Sequence, residues 1–415
     1  MLRYSLSLLL SGAWLLAAEP SPDPSLRSLD ELIRVAWQND LHAAALSLVP
    51  ELALAREVQA GIAPAPDLDL RVSAPVAGDG EWSFGVGVSR TLARRERLEL
   101  ARAYARLGAE AARHQLRGRR IEIADTVRRL IYELALSEAR AVAARREVEL
   151  SRELEAALKV RHAAGEVAGL DMELVALDRA RAEQDLALAE ADALGWLVRL
   201  RQRLRLPAAD LAPGAPALET LLARAVPAAS AGEIPALALS ELARREADAA
   251  LALALAESRA EWTLGAGLDV ERRENDATGR LDTTPVLGIS ASRPWPGAAA
   301  NRGVVLESRA ALRLAEARRA SVADDVAAEL AAALAVVEAA RPALARHREL
   351  RERAAALPAK LQAAFARGEI TAPQLAQARG QVHAVEADYL AAAARYLALL
   401  ADAETAVGLI PDPQN

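Results

Sequence analysis

The sequence predicts a mainly α fold with a small β part: a duplicated, long α-helical coiled hairpin in which each copy carries one β-hairpin, making four strands. Three observations predict it. The 415 residues are 53% hydrophobic and 26% charged but only 3% aromatic; this is the composition of long helices, and it argues against an ordinary two-domain enzyme. Val86-Gly-Val-Ser-Arg90 lines up with Ile289-Ser-Ala-Ser-Arg293, and Gly165-Glu-Val167 with Gly368-Glu-Ile370, both pairs displaced by 203 positions. Finally, four short segments alternate apolar and small or charged residues with the period of two that belongs to strands.

The same displacement holds through the helical text. Met172, Val175, Ala182, Leu186, Ala189, Ala193, Trp196 and Leu200 alternate spacings of three and four, interrupted at Arg179. Their counterparts are Leu375, Ala378, Val385, Tyr389, Ala392, Tyr396, Leu399 and Ala403, with Val382 at the interrupted place. One heptad seam is therefore written twice in one register.

Each copy reads helix, strand, strand, very long helix, turn, helix. The first copy is expected to be helical over about 30–62, 93–163 and 171–205, with strands at Asp67–Ala74 and Trp82–Leu92. The second is expected to be helical over about 236–260, 298–366 and 374–408, with strands at Trp262–Val270 and Thr283–Arg293. Pro64, Pro66, Gly78, Gly80, Pro294, Pro296 and the two Gly-Glu turns mark the joints. Residues 19–206 thus form the first repeat and 236–410 the second, separated by a Pro- and Ala-rich linker at 207–235 with a short amphipathic helix near Leu218–Ala225, and followed by a tail at 411–415.

A helix of about 70 residues would reach about 105 Å, more than a globular core can cover. In the first copy the two shorter helices together nearly match the long one, so stacked end to end they would give it a partner along its length. The strands present a separate problem. Trp82, Phe84, Val86 and Val88 share one face, as do Trp262, Leu264, Ala266, Leu268 and Val270, while glycine, serine and charged residues take the other. In a soluble sandwich such a face would be core, yet two hairpins are too few to form one. A membrane barrel with its apolar face toward lipid is the other solution, and strands of about 9 to 11 residues suit it. Trp82, Trp262 and Trp295 fall at strand ends, where an aromatic girdle would lie. Four strands cannot close a pore, so several chains would have to share one barrel.

The amino terminus has a basic start at Met1–Tyr4, an apolar run at Ser5–Leu16 and small residues before Glu19, the layout of a signal peptide at 1–18. No Cys follows the expected cleavage site, so no lipid anchor is expected on the mature amino terminus. The chain has no Cys at all, and its five histidines, His42, His114, His162, His347 and His383, are isolated, so no metal or cofactor site is expected. Carboxylates alternate with arginines along helices, as in Arg94–Arg97 and Arg348–Arg353, a pattern of solvated faces and intrahelical pairs. With no catalytic motif, no enzyme activity is expected. The net charge of −6 gives no case for nucleic acid.

Ala36-Trp-Gln-Asn-Asp-Leu41, Pro66, Ser89-Arg-Thr-Leu92, Gly165-Glu-Val-Ala-Gly-Leu-Asp171 and Phe365-Ala-Arg-Gly-Glu-Ile-Thr371 follow one another in an order, spacing and duplication that resemble the outer-membrane efflux proteins typified by TolC. The resemblance covers nearly the whole mature chain. It implies a homotrimer whose β-hairpins build one shared outer-membrane barrel, continued across the periplasm by a helical tunnel with the linker and chain end at its equator. It also implies a passive exit duct that docks on a periplasmic adaptor (membrane fusion) protein and an inner-membrane efflux pump. The readings that compete with it are a periplasmic adaptor and a coiled-coil scaffold without a pore.

The family's tunnel is often narrowed at its periplasmic tip by carboxylates just after the second glycine turn. The matching places here look like Gln374 and Gln377, amides that can hydrogen-bond without charge, which departs from a cation-blockable gate. Asp171, Glu166 and Glu369 would supply the remaining negative charge at the tip. Gly165 and Gly368 are expected to take positive φ in tight turns, near where an adaptor would touch. Trp82, Phe84, Trp262 and Trp295 are the expected girdle and lipid-face residues.

Overall fold

The computed structural model describes residues 28–74, 81–165, 167–206, 216–228, 233–274, 281–294 and 301–410. The expected signal peptide lies outside them, as do Trp295 and Glu166. Among the described residues ten helices and four strands follow in the expected order: α1 Leu29–Asn39, α2 Leu41–Ser47, α3 Val49–Ala60, β1 Asp67–Ser73, β2 Trp82–Leu92, α4 Arg95–Ala163, α5 Gly169–Leu204, α6 Leu218–Leu222, α7 Pro235–Glu257, β3 Trp262–Glu274, β4 Leu281–Ser292, α8 Arg302–Ala355, α9 Leu357–Ala366 and α10 Ala372–Ala406.

Two expected helices are broken. The first divides into α1, α2 and α3 because Asp40 leaves the helix to cap α2, accepting from the Ala43 amide at 2.8 Å, and because Pro50 stands at the start of α3. The long helix of the second copy divides at Ala356, where Pro358 opens α9, whereas Pro342 is accommodated inside α8. The 69-residue α4 runs without interruption.

The chain divides into two compact units, one comprising Leu130–Ala223 with the chain up to Leu32, the other Ile33–Arg129 with the chain from Arg224 onward. In the first unit the carboxy-terminal half of α4 returns through the Gly165 turn into α5. Ile131, Leu134, Leu158, Val175, Ala182, Leu200 and Leu204 are buried there. Ion pairs flank this core: Arg145–Glu190 at 2.7 Å, Arg152–Glu183 at 3.0 Å and Arg179–Glu155 at 2.6 Å. Helix α5 ends on Arg205 in the left-handed region, with φ of 52°, and the Arg205 and Leu206 amides donate back into the last turn.

The second unit holds the sheet and the helices of the second repeat. Helix α8 packs on both α7 and α10, with Arg319 pairing Glu241 on α7 and Arg351 pairing Glu386 on α10 at 2.8 Å. Every named seam position from Met172 to Leu200, and every counterpart from Leu375 to Ala403, is buried or half-buried; in α10 the buried surface extends beyond the seam to Leu390, Ala393, Leu397 and Leu400. The Ala36–Leu41 corner is fixed on α4 by Arg119, which pairs with Asp40 at 3.1 Å, and by Arg120, whose guanidinium lies 4.4 Å from the Trp37 ring.

The strands form a single antiparallel sheet in the order β1-β2-β3-β4. The two hairpins are joined edge to edge by β2 and β3, paired without a bulge from Trp82↔Arg272 to Leu92↔Trp262. Period-two text cannot announce this joint, because it depends on which unpaired edge finds which.

Candidate functional sites: an apolar sheet face and two glycine turns

The register assembles the apolar residues into rows across the sheet. Leu68, Val88, Ala266 and Ile289 form one row, Leu70, Val86, Leu268 and Leu287 the next, and Val72, Phe84, Val270 and Pro285 a third. No helix among the described residues covers them: Leu70 is 65% exposed, Leu287 75% and Ile289 84%. A row containing Trp82 and Arg272 bounds this band at one end, and a row containing Leu92 and Trp262 bounds it at the helix-proximal end. The ten residue steps from Leu92 to Trp82 span about 34 Å along the strand, or about 26 Å across a layer when tilted by roughly 40°. That matches the apolar band of a membrane barrel. Phe84 lies inside the band and not at its rim.

The opposite face is glycine-floored. A Cβ added to Gly85 would fall 1.8 Å from Asp269 Oδ1, and one added to Gly87 would fall 3.2 Å from Arg71 Nη2. These two charged side chains therefore lie across the floor and bury both glycines. Among the described residues β1 and β4 each keep an outer edge without a strand partner, the condition that invites further strands.

The two turn glycines have nearly the same φ. Gly165 has φ of 79° and Gly368 of 78°, and a Cβ at either would meet nothing within 4 Å. The glycine is demanded by the dihedral alone. In the first turn the His162 ring Nδ1 lies 2.8 Å from the Val167 carbonyl oxygen. Asp171 sits half-buried in the first turn of α5, with no ion pair among the described residues.

In the second turn the Arg367 guanidinium donates to both oxygens of Glu369, at 2.6 and 3.1 Å. These hydrogen bonds raise the Arg367 pKa from its already high ordinary value. Gln374 is engaged with the helix end: its side-chain oxygen accepts from the Thr371 amide at 2.9 Å and from the Thr371 hydroxyl at 3.1 Å, one half of a capping box. Gln377, one turn on, is exposed. The Thr-x-x-Gln spacing announces this cap in the sequence. The Arg367–Glu369 pairing was not foreseen, although the two residues stand only two apart.

The sequence also gave no sign of a buried ionic knot in the unit that holds the sheet. Glu404 takes Arg128 at 3.1 Å and Arg224 at 2.8 Å, and Arg128 also donates to the Leu409 carbonyl at 2.6 Å. Among the described residues no helix is long and apolar enough to cross a membrane, and no group of three or more His, Cys, Asp or Glu is placed to hold a metal ion.

No protein-family model matches the sequence and no curated protein resembles it in sequence. Solved structures do match in fold. The open state of the Neisseria gonorrhoeae MtrE outer membrane channel superposes with a TM-score of 0.69 at 18% identity, over 93% of this chain and 91% of that one. The Campylobacter jejuni CmeC outer membrane channel gives 0.68 at 14% identity, over 92% and 85%. The Vibrio cholerae outer membrane protein VceC gives 0.68 at 15% identity, over 92% and 97%. Long duplicated helices and a four-stranded antiparallel sheet define the class of TolC-like folds. This chain has the fold of the outer-membrane channels in that class.

Proposed function

We propose that the protein is the outer-membrane exit duct of a tripartite efflux or secretion system. It works as a homotrimer and passively conducts substrates received from a periplasmic adaptor and an inner-membrane pump. It is exported by the signal peptide at 1–18. The observation that carries this reading is the exposed apolar band between Trp82 and Trp262, on a sheet whose two outer edges have no partner among the described residues. An exposed face of this size in water is unfavourable, and open edges aggregate. Closure with the hairpins of two further chains, with lipid outside, resolves both problems.

On this reading Trp82, Phe84, Trp262 and Trp295 face or border lipid, and Asp69, Arg71 and Asp269 face the pore. The turns at Gly165 and Gly368 form the periplasmic tips that an adaptor would touch. Gln374 and Gln377 follow the second tip at the constriction, with Asp171, Glu166 and Glu369 adding charge. Because the Gln374 amide oxygen is engaged in its cap, Gln377 is the amide free to line the opening.

Membrane fractionation and planar-bilayer recording test the proposal together. A heat-sensitive oligomer in the outer-membrane pellet that conducts in a bilayer is expected. Release by carbonate would instead favour a periplasmic scaffold, and folded oligomer without conductance would remove the pore.

A further inference from the structure

The junction between the sheet and the helices is crowded with arginines, and most are matched. Arg97 pairs with Glu261 at 3.1 Å, Arg259 with Glu96 at 3.1 Å and Arg95 with Glu99 at 2.7 Å, while Arg94 donates to the Ala256 and Arg259 carbonyls. Two others, Arg90 and Arg293, have no anionic partner among the described residues, and residues 295–300 contain no acid that could supply one.

Both stand on the apolar face. In β2 the alternation that sends Val86 and Val88 outward also sends out Arg90, opposite Leu264. Arg293 directly follows β4 and continues the face of Ile289 and Ala291; its guanidinium lies 5.7 Å from the Trp262 ring centroid. Trp262, on the strand between them, thus has one arginine on each side, in the last two rows of the band. Strands β2 and β4 are two spacings apart, about 10 Å, so two long side chains on one face can converge on a single small anion.

A guanidinium on the lipid face is costly at the midplane but nearly free near the interface, and its planar fork matches the oxygens of a phosphate. Every other side chain in these two rows is apolar, so the anion must come from outside the chain.

We propose that Arg90 and Arg293, with Trp262 between them, form a binding site for the phosphodiester headgroup of an anionic phospholipid. This rests on the channel reading, which places the helix-proximal end of the sheet at the periplasmic leaflet, where phospholipid is found. The acyl chains would lie along the band above Leu264 and Ala291. Such a lipid would fix the depth of the barrel at the point where strand becomes helix.

The test uses full-length protein purified in detergent and titrated with phosphatidylglycerol, bound lipid being counted by native mass spectrometry. The double variant Arg90→Gln/Arg293→Gln should bind phosphatidylglycerol about tenfold more weakly, as expected for the loss of charge-assisted hydrogen bonds. Arg272→Gln, at the far rim, should bind like wild type, and excess inorganic phosphate should leave the lipid in place. Unchanged affinity in the double variant, an equal loss in Arg272→Gln, or displacement by inorganic phosphate would overturn the site. Should the double variant not assemble, Arg90→Lys and Arg293→Lys keep the charge but lose the fork; each should weaken binding, and wild-type affinity in both would overturn the site. Reconstitution separates the two failures: a membrane-inserted oligomer with unaltered lipid binding removes only this site, whereas wild-type protein that does not insert removes the channel reading along with it.

Discussion

Arg128 and Glu404 form an ion pair at 3.1 Å in which each side chain is only 1% exposed. Arg224 approaches the second carboxylate oxygen at 2.8 Å, so one carboxylate ties α4, α10 and the segment after α6 together. Breaking such a pair leaves an uncompensated buried charge, a cost of about 3–5 kcal/mol. Glu404→Gln should therefore lower the thermal midpoint sharply. Glu404→Leu combined with Arg128→Met should recover much of the loss, and a double-mutant cycle by circular dichroism checks this. If the two effects simply add, the pair is not coupled.

Glu155 joins the two helices of the first unit. A hydrogen bond from Lys159, with the Arg179 charge assisting, holds its pKa below the ordinary carboxylate value against the opposing effect of burial. A pKa depressed in the folded state adds stability above the unfolded value, about 4.3, and that stability disappears as pH falls through the lower folded value. Its partners are substantially exposed, which limits the gain to about 1 kcal/mol or less. Amide protection of α5, taken relative to the intrinsic exchange rate at each pH, should fall below about pH 4 in wild type. In Glu155→Gln that protection should already be lower at neutral pH and change little on acidification.

Alanine at Gly165 or Gly368 would meet open space but adopt a left-handed dihedral, at about 1–2 kcal/mol each. Arg205 supplies the converse. It caps α5 with φ of 52°, while Gly408, displaced from it by the same repeat, has φ of 72° after α10. Arg205→Gly should stabilise by about 1 kcal/mol, measured by urea unfolding, and an unchanged midpoint would show that the arginine side chain compensates elsewhere.

The two glutamines proposed for the tip should separate. Gln377→Ala is expected to raise single-channel conductance, whereas Gln374→Ala should chiefly loosen the start of α10, costing about 0.5–2 kcal/mol as lost caps do. Equal conductance changes in the two variants would contradict this division.

The repeat, the seam and the strand faces were legible because each is a periodic signal carried by many residues; the equal φ of Gly165 and Gly368 is the same signal seen in the backbone. The breaks at Asp40 and Ala356 were not anticipated, since one Asp or Pro is weak punctuation inside strongly helical text. The Arg128–Glu404 pair could not be foreseen: its members stand 276 positions apart, among many arginines and glutamates that differ from them only in burial. Alternation alone puts Arg90 on the greasy face, but its approach to Arg293 across Trp262 needs the register of three strands.

The β2–β3 joint has a consequence for assembly. It unites two edges that, in a half-length ancestor with one hairpin, would have belonged to separate molecules. Tethering them in one polypeptide replaces a meeting between molecules with an internal closure whose success does not depend on how dilute the protein is. In a ring of such chains every second joint between hairpins is then already made when a single molecule folds, and the remaining β4–β1 joints copy a pattern each molecule already contains.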